Sequence, residues 1–245
     1  GQVDFFKELV FEFQNLSQYG KIPPTPDTPA GHHDGWGMAR SNPETTGMIP
    51  IDRQLGSAFE SQGFKAALNS IADPAHIFLC HLRKASPEVA VTLANTHPFF
   101  ARGWALIHNG TVFDAERLPR DRSLKPSSDN SDTEYLLHYF LTHLFNKSDS
   151  SRDHEILRDA TVAISLDYTA VNVLLSNGRD LFVIRNHTRH KDYYTLYYYR
   201  LPGGVIVCSQ RLCSGSLHAE KWQSLPNHST LQIHGDPPKI EILSF

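Results

Sequence analysis

Residues 103–110 read GWALIHNG, an apolar run of strand length that ends in Asn109-Gly110. A buried strand that stops at Asn-Gly presents a side-chain amide and a free backbone N–H at one end of its sheet, and two such donors can hold a developing oxyanion. Asn-Gly is also the commonest dipeptide of a two-residue hairpin turn. The stretch therefore predicts a buried strand and leaves two interpretations of its end, a turn or a binding site.

The chain before this stretch combines two helices with short strands. Phe6, Leu9, Val10 and Phe13 have the i, i+3, i+4, i+7 spacing of an amphipathic helix over residues 4–16. A proline-rich loop at 22–31, a short strand from 34 to 39, a helix over 58–71 and a buried strand over 75–82 are predicted next.

The chain after this stretch is one helix followed by strands. Ser131 and Glu134 have the spacing of a capping box, which predicts a helix from there to about residue 146. The predicted strands that follow are 161–166, 171–175, 181–185, 195–200, 205–208, 230–233 and 240–243. This order favours an α+β layered domain with mainly antiparallel sheets. The chain has neither a βαβ rhythm nor a Gly-x-Gly-x-x-Gly motif, which argues against a Rossmann domain.

Composition narrows the class of function. The 245 residues fit one large domain or two small ones, and their formal charge of −3 offers no basic surface to nucleic acid or to an anionic membrane. No apolar run is long enough for a membrane span, and the first residues lack a signal-peptide pattern. Three cysteines form no disulfide framework, so we expect a cytoplasmic protein. Fourteen histidines show no ligand spacing, so we expect neither a metal nor a cofactor.

Four short segments stand out against this ordinary composition. They are DGWG at 34–37, HLRKAS at 81–86, NTHPF at 95–99 together with HNG at 108–110, and SDTE at 131–134. In this order they resemble the class II glutamine amidotransferases, and especially the short stand-alone members: bacterial glutamine amidotransferase-like proteins, the ergothioneine-pathway amidohydrolase and the glutathione-degrading subunit. The resemblance covers residues 31–135 and continues more weakly through 172–178 and 196–200.

The resemblance implies a fold and a domain boundary. The fold is the four-layer αββα sandwich of the N-terminal-nucleophile hydrolases, with mainly antiparallel sheets. Residues 1–245 would form a single amidotransferase domain that lacks its first strand.

The resemblance also implies which residues bind the amino-acid end of glutamine. Arg83 would bind the α-carboxylate, because a guanidinium fork matches a planar carboxylate. Asp132 would bind the α-ammonium group. Each residue also has a purely structural interpretation: Arg83 as a surface ion pair at a strand end, and Asp132 as an acid that stabilises a helix N-terminus.

The remaining implied roles surround the reacting amide. The Asn109 side chain and the Gly110 N–H would form the oxyanion hole, Thr96 and His97 would support the pocket, and Trp36 would pack beside it. The segment from Lys84 to about residue 94 matches a loop that closes over glutamine. Pro87-Glu88-Val89 stands where the larger synthases have a glycine, which puts the manner of closure in doubt.

The clearest departure from the family pattern concerns the nucleophile. The family uses a cysteine at its mature N-terminus, which heads a strand before the first helix, and whose α-amino group acts as base. Here Gly1 leads almost directly into the first helix, so the resemblance implies a nucleophile just upstream of Gly1. Cys80, Cys208 and Cys213 have no surrounding motif of an activated thiolate.

Three functions are compatible with these observations. The first is an amidohydrolase that cleaves glutamine or another small γ-glutamyl compound through a cysteine thioester and releases ammonia or passes it to a protein partner. The second is an inactive family member that binds a γ-glutamyl ligand or a partner protein. The third is an unrelated α+β binding module.

Overall fold

The computed structural model describes residues 2–23, 29–42, 44–71, 76–86, 89–146, 150–213 and 217–245. The center of the proline-rich loop and residues Pro87 and Glu88 lie outside the described residues.

The described chain contains four α-helices and twelve strands. The helices are α1 (Gln2–Tyr19), α2 (Gln62–Asn69), α3 (Asp132–Phe145) and α4 (Asp153–Val162). The strands up to α3 are β1 (Gly35–Ser41), β2 (Met48–Gln54), β3 (Phe78–Arg83), β4 (Phe99–Ala101) and β5 (Trp104–Asn109). Those after α4 are β6 (Asn172–Ser176), β7 (Leu181–Arg185), β8 (Tyr197–Leu201), β9 (Gly204–Cys208), β10 (Gln223–Ser224), β11 (Ser229–His234) and β12 (Lys239–Ser244).

These strands form three antiparallel sheets. A large sheet has the order β12-β11-β7-β6-β5-β4, and two small sheets have the orders β2-β1-β3 and β10-β8-β9. In the large sheet Asn109 of β5 stands directly opposite Asn172 of β6. Directly opposite residues of an antiparallel pair point to the same face of the sheet.

The sheets and helices stack in four layers, αββα. Leu136 of α3 and Leu157 of α4 pack on one face of the large sheet, in the same cluster as Leu106 and Val173. Both small sheets pack on its other face, through contacts that include Ala39 with Ile107 and Tyr198 with Val183. Helices α1 and α2 cover the small sheets from outside. The four layers and the mainly antiparallel pairing agree with the fold class predicted from the sequence.

Helix α1 spans both small sheets. Its Val10 belongs to the apolar cluster of β1 and β3, whereas the adjacent Leu9 belongs to the cluster of β8 and β9. Phe6, near its start, packs edge-on against Phe78 at the start of β3, with ring centroids 4.9 Å apart. The helix therefore crosses above the gap between β3 and β9, whose facing edges have no partner strand among the described residues.

Three local features differ from the predictions. Residues 161–166 are not a strand, because Leu157, Ala160 and Ile164 are spaced to pack together under α3 and the chain before Ala163 is the helix α4. Strand β2 was not predicted at all. The capping box is also absent: the Ser131 side chain makes no cap bond, and the Glu134 carboxylate instead accepts hydrogen bonds from Ser127 and Ser128.

Candidate active site

A cavity of about 160 Å³ lies between the ends of β3 and β9, with β5 and β6 as its floor and α1 as its roof. A cavity of roughly 150 Å³ can hold a molecule the size of benzene, so this cavity has room for a small ligand. Its lining includes five of the seven predicted site residues, namely Arg83, His97, Asn109, Gly110 and Asp132. Elements from three layers thus bring together residues that are far apart in the sequence.

The other two predicted residues do not line the cavity. Trp36 is fully buried in the core under α2, edge-on to Phe64 at 5.1 Å between ring centroids. Its indole packs with Phe64 and Met38 in this core, and it does not line the cavity beside which it was predicted to pack. Thr96 is also fully buried, and its hydroxyl donates to the Thr92 carbonyl oxygen at 2.8 Å, which places it in the loop that supports the cavity wall.

Arg83 ends β3, lines the cavity and has one guanidinium nitrogen without a partner among the described residues. Its Nη2 donates to the Ala90 carbonyl oxygen at 3.2 Å, while Nη1 is buried and has no partner in the described part of the chain. Burial lowers the pKa of Arg83, and the nearby Asp34 and Asp132 oppose this shift. An unpaired donor on a buried cation is costly unless a ligand accepts from it, so Arg83 can hold a carboxylate.

Asp132 opens α3 on the opposite side of the cavity. Its Oδ2 accepts from the Val112 N–H at 2.9 Å, and its Oδ1 accepts from the Thr133 N–H at 2.8 Å. The side chain keeps 21% of its surface exposed. These bonds fix the carboxylate, which retains further lone pairs that can accept from an ammonium group.

Asn109 and Gly110 lie where β5 leaves the sheet. Position 110 requires glycine, because a Cβ there would collide with the carbonyl oxygen of Ala170. Both residues line the cavity and are partly exposed to it. The arrangement supplies a side-chain amide and a backbone N–H at the point where a carbonyl oxygen of a bound ligand could be placed.

Three histidines, His81, His97 and His108, line one wall of the cavity. His108 Nε2 lies 3.0 Å from the Ala170 carbonyl oxygen, which can only accept, so Nε2 carries the proton and Nδ1, 3.2 Å from Thr133 Oγ1, can accept. The His81 and His97 rings lie with centroids 4.1 Å apart. Burial lowers the pKa of His81 to about 3, helped by His32, Arg83 and His108, and burial lowers the pKa of His97 well below its usual value.

The loop after β3 is tied down over Arg83. The Asn95 side chain donates to the Ala90 carbonyl oxygen at 3.1 Å and accepts from the Asp129 N–H at 2.9 Å. Asp34 accepts from the Ala85 N–H at 2.7 Å and so holds the start of the same loop. The loop that the sequence predicted to close over a ligand is therefore anchored from both the β1 and the α3 side.

Comparison with known proteins supplies the family. Residues 2–201 match the family model described as glutamine amidotransferases class-II. The chain belongs to this family. A search of curated protein sequences finds no match.

Solved structures of class-II glutamine amidotransferases share the fold. A glutamine aminotransferase class-II domain protein from Silicibacter pomeroyi is 19% identical, with 87% of this chain and 97% of that one covered and a TM-score of 0.60. A predicted glutamine amidotransferase from Pseudomonas aeruginosa is 18% identical, with 84% and 87% covered and a TM-score of 0.56. The glutamine phosphoribosylpyrophosphate amidotransferase of B. subtilis is 14% identical, with 98% of this chain but 46% of that one covered and a TM-score of 0.59.

Two residues that line the cavity were given no role by the sequence analysis, although both lie in the segments that carry the resemblance. His81 is partly buried and Asn172 is buried, and His81 Nδ1 and both amide atoms of Asn172 have no partner among the described residues. In the sequence each resembles an interruption of an apolar strand. Both could have been recognised as candidate binding residues, because each is a polar side chain at a strand position that is predicted to be buried.

Two of the cysteines are unsuited to attack a substrate. Cys80 and Cys208 line the cavity wall, and burial raises the pKa of both thiols, that of Cys208 to about 11. Each is therefore a protonated, unreactive thiol near neutral pH. Within the described ranges no cluster of His, Cys, Asp and Glu could hold a metal ion, and no helix is long and apolar enough to cross a membrane.

Proposed function

We propose that the protein hydrolyses the side-chain amide of glutamine or of a small γ-glutamyl compound through a cysteine thioester. The observation that carries this proposal is the convergence of Arg83, Asp132 and the Asn109-Gly110 pair on one cavity. A cation, an anion and two neutral donors are the complement of an α-carboxylate, an α-ammonium group and an amide carbonyl. The family membership gives the amide chemistry, and the cavity fits a small metabolite.

The nucleophile is the component that the described chain does not supply. Cys80 and Cys208 are protonated and packed in the wall, and Cys213 is exposed and does not line the cavity. We propose that a cysteine on the N-terminal side of α1 supplies the thiolate. Its place is the gap between β3 and β9.

The gap fits an extended segment of chain. The facing edges of β3 and β9 have no partner strand in the part of the chain that the structure describes. Ile107 and Leu174 lie below them, and Phe13 and Leu16 of α1 lie above. A strand in this position would join the two small sheets into one continuous sheet. At about 3.3 Å per residue, the six residues of β3 correspond to a segment about 20 Å long.

The direction of α1 determines which end of such a strand reaches the site. Phe6, at the start of α1, lies beside Phe78 at the far end of β3, while Leu16 near its end lines the cavity. A strand that fills the gap and then turns into α1 must therefore begin at the Arg83 end. Its first residue would stand beside Asn109, Gly110 and Asp132.

The reaction then follows from this arrangement. The thiolate attacks the amide carbon, and the resulting oxyanion accepts hydrogen bonds from the Asn109 side chain and the Gly110 N–H. The α-amino group of the same cysteine transfers the thiol proton to the departing nitrogen. Ammonia or an amine leaves, and water hydrolyses the thioester to release the γ-carboxylate. The ammonia is released or passed to a protein partner, with no metal or cofactor, in a reducing, cytoplasmic setting that suits three free cysteines.

The test is ammonia release from glutamine by the protein with its native N-terminal sequence. We expect Asn109→Ala to lower kcat by about 10²–10³, since one oxyanion donor is lost. Asn177→Ala is the matched control, because Asn177 is an amide of the exposed β6–β7 turn that accepts from the Arg179 N–H at 2.9 Å. A rate that is unchanged in Asn109→Ala would contradict the site assignment.

A second function is favoured by the absence of an activated thiol from the described residues. In that case the protein binds a γ-glutamyl ligand or a partner protein without turnover. Glutamate binding that is lost in Arg83→Ala, together with no ammonia release and no cysteine at the mature N-terminus by mass spectrometry, would support this function over the enzyme.

A further inference from the structure

Asn172 is a buried amide for which the fold provides no partner. It is 2% exposed, and neither Nδ2 nor Oδ1 has a hydrogen-bond partner in the described chain. A buried polar group left unsatisfied costs about 1–3 kcal/mol. Asn186, by contrast, is a buried asparagine whose side chain is bonded to Tyr168 and His228. Because no hydrogen bond within the described chain offsets the burial of the Asn172 amide, its place in the cavity wall indicates that it binds a ligand.

The register of the large sheet places this amide beside the proposed oxyanion hole. Asn172 and Asn109 are direct partners across the β5–β6 ladder, and both line the cavity. Side chains of such partners have Cβ atoms about 4.5–5.5 Å apart. A ligand carbonyl held by Asn109 and Gly110 is therefore within reach of the Asn172 amide.

We propose that Asn172 is a positioning and specificity residue that binds the side-chain carboxamide of the substrate. Its Nδ2 donates to the carbonyl oxygen of the ligand, and its Oδ1 accepts from the N–H of the ligand's amide nitrogen. This pairing uses both unpartnered atoms, which a carboxylate or an ester cannot do because neither has an N–H. The inference rests on the proposed function and adds that the protein distinguishes an amide from an isosteric ester.

The test compares the affinities of the 245-residue chain for glutamine and for the γ-methyl ester of glutamate by calorimetry. We expect the native protein to prefer the amide, and Asn172→Leu to lose about tenfold of that preference, since about 1.4 kcal/mol corresponds to a factor of ten. The melting temperature of Asn172→Leu should be unchanged or raised, because an unsatisfied amide is replaced by an apolar group of similar size.

Asn186→Leu is the control, and we expect it to lower the melting temperature while leaving the amide preference unchanged. A preference that survives in Asn172→Leu, or a melting temperature that falls as far as in Asn186→Leu, would overturn the role of Asn172. The proposed function fails instead if the unsubstituted chain binds neither ligand. It also fails if the Arg83→Ala variant binds both ligands as tightly as the unsubstituted chain does.

Discussion

At the scale of single residues, the site is marked by polar atoms that the fold leaves without partners. Arg83 Nη1, His81 Nδ1 and the Asn172 amide are buried in the wall of one cavity, whereas the Asn95 and Asn186 side chains are fully engaged. Buried polar groups are normally satisfied, so their clustering separates binding groups from structural ones.

We predict that Arg83→Lys weakens glutamate binding by about ten- to a hundredfold. Lysine keeps the charge but loses the planar fork, and a hydrogen bond to a charged group contributes about 1.5–3 kcal/mol. Calorimetry on the purified chain measures the change. Arg189→Lys, at an exposed ion pair with Asp167, is the matched control and should bind as the native protein does. Equal affinity of Arg83→Lys and the native chain would refute carboxylate binding by Arg83.

The sequence predicted the charged and turn-ending site residues better than the neutral buried ones. Arg83, Asp132 and Asn109 could be named because strand ends and helix starts are visible as patterns, and the cavity contains all three. Asn172 could not, because a polar residue among apolar ones does not reveal whether the fold satisfies it. Trp36 was assigned to the pocket from its glycine neighbours, but the packing of Phe64 against it lies outside any local pattern.

At the scale of elements, α1 connects the two halves of the outer sheet layer. We predict that Leu9→Ala destabilises the protein by about 2–5 kcal/mol, because Leu9 is buried against the β8–β9 cluster and leaves a cavity. Urea unfolding measures the effect. Val162→Ala, a change at a 60% exposed position of α4, should stay within about 0.5 kcal/mol. A comparable loss in both variants would show that α1 does not brace the small sheets.

The Glu134 carboxylate holds the segment before α3 against the first turn of the helix. Glu134 accepts from the N–H groups of Ser127 and Ser128 at 2.8–3.0 Å; burial raises its pKa, but these bonds and those from the serine side chains lower it overall. We predict that Glu134→Gln costs about 1–3 kcal/mol in unfolding free energy, since an acceptor is replaced by a donor. Glu155→Gln at an exposed pair is the control. No loss of stability in Glu134→Gln would contradict this role.

Element prediction succeeded where one face of a helix was apolar and failed where composition favoured the other type. Helix α1 was found from the spacing of its apolar residues, and helix α3 from the spacing of Ser131 and Glu134, although no capping box forms there. The β-branched residues near the end of α4 favoured a strand. In the structure this segment is helical, because Leu157 and Ala160 pack in the cluster that α3 forms with the large sheet. Strand β2 carries Pro50 and three charged or polar residues at its end, and these masked it.

At the scale of the whole molecule, the neutral histidines make stability depend on pH. Burial lowers the pKa of His32 to about 4 and that of His81 to about 3, below the value near 6.5 of the unfolded chain. Between these values the unfolded state binds more protons, so stability is full above about pH 6.5 and falls as the pH decreases toward 3.

We predict that His81→Phe reduces this pH dependence in urea unfolding measured from pH 7 to pH 4. Phenylalanine can occupy the place of the ring beside His97 without taking up a proton. His234→Phe, at a partly exposed position paired with Glu241, should leave the slope unchanged. A slope in His81→Phe equal to that of the native protein would rule out His81 as a source of the acid sensitivity.

The order of the four layers was predictable from the resemblance, which also implied that a first strand is missing, but the place of the gap between β3 and β9 was not. No local pattern in β3 or β9 reports whether a strand edge is paired. The gap is evident only in the structure, where residues next to both strand edges, Arg83 and Gln210 among them, line the same cavity.

The pairing of Asn109 with Asn172 implies a division between what can vary in this site and what cannot. The backbone hydrogen bonds between β5 and β6 fix the distance between the two residues, and this distance does not depend on the loops around the site. Insertions in the loop after β3, whose residues Lys84, Ala85 and Ser86 line the cavity, would therefore reshape the cavity and leave the two amides in place. A single-residue insertion inside β5 or β6 would turn one amide toward the opposite face of the sheet. Changes in the loops can thus admit new substrates, while the distance between the Asn109 and Asn172 amides stays the same.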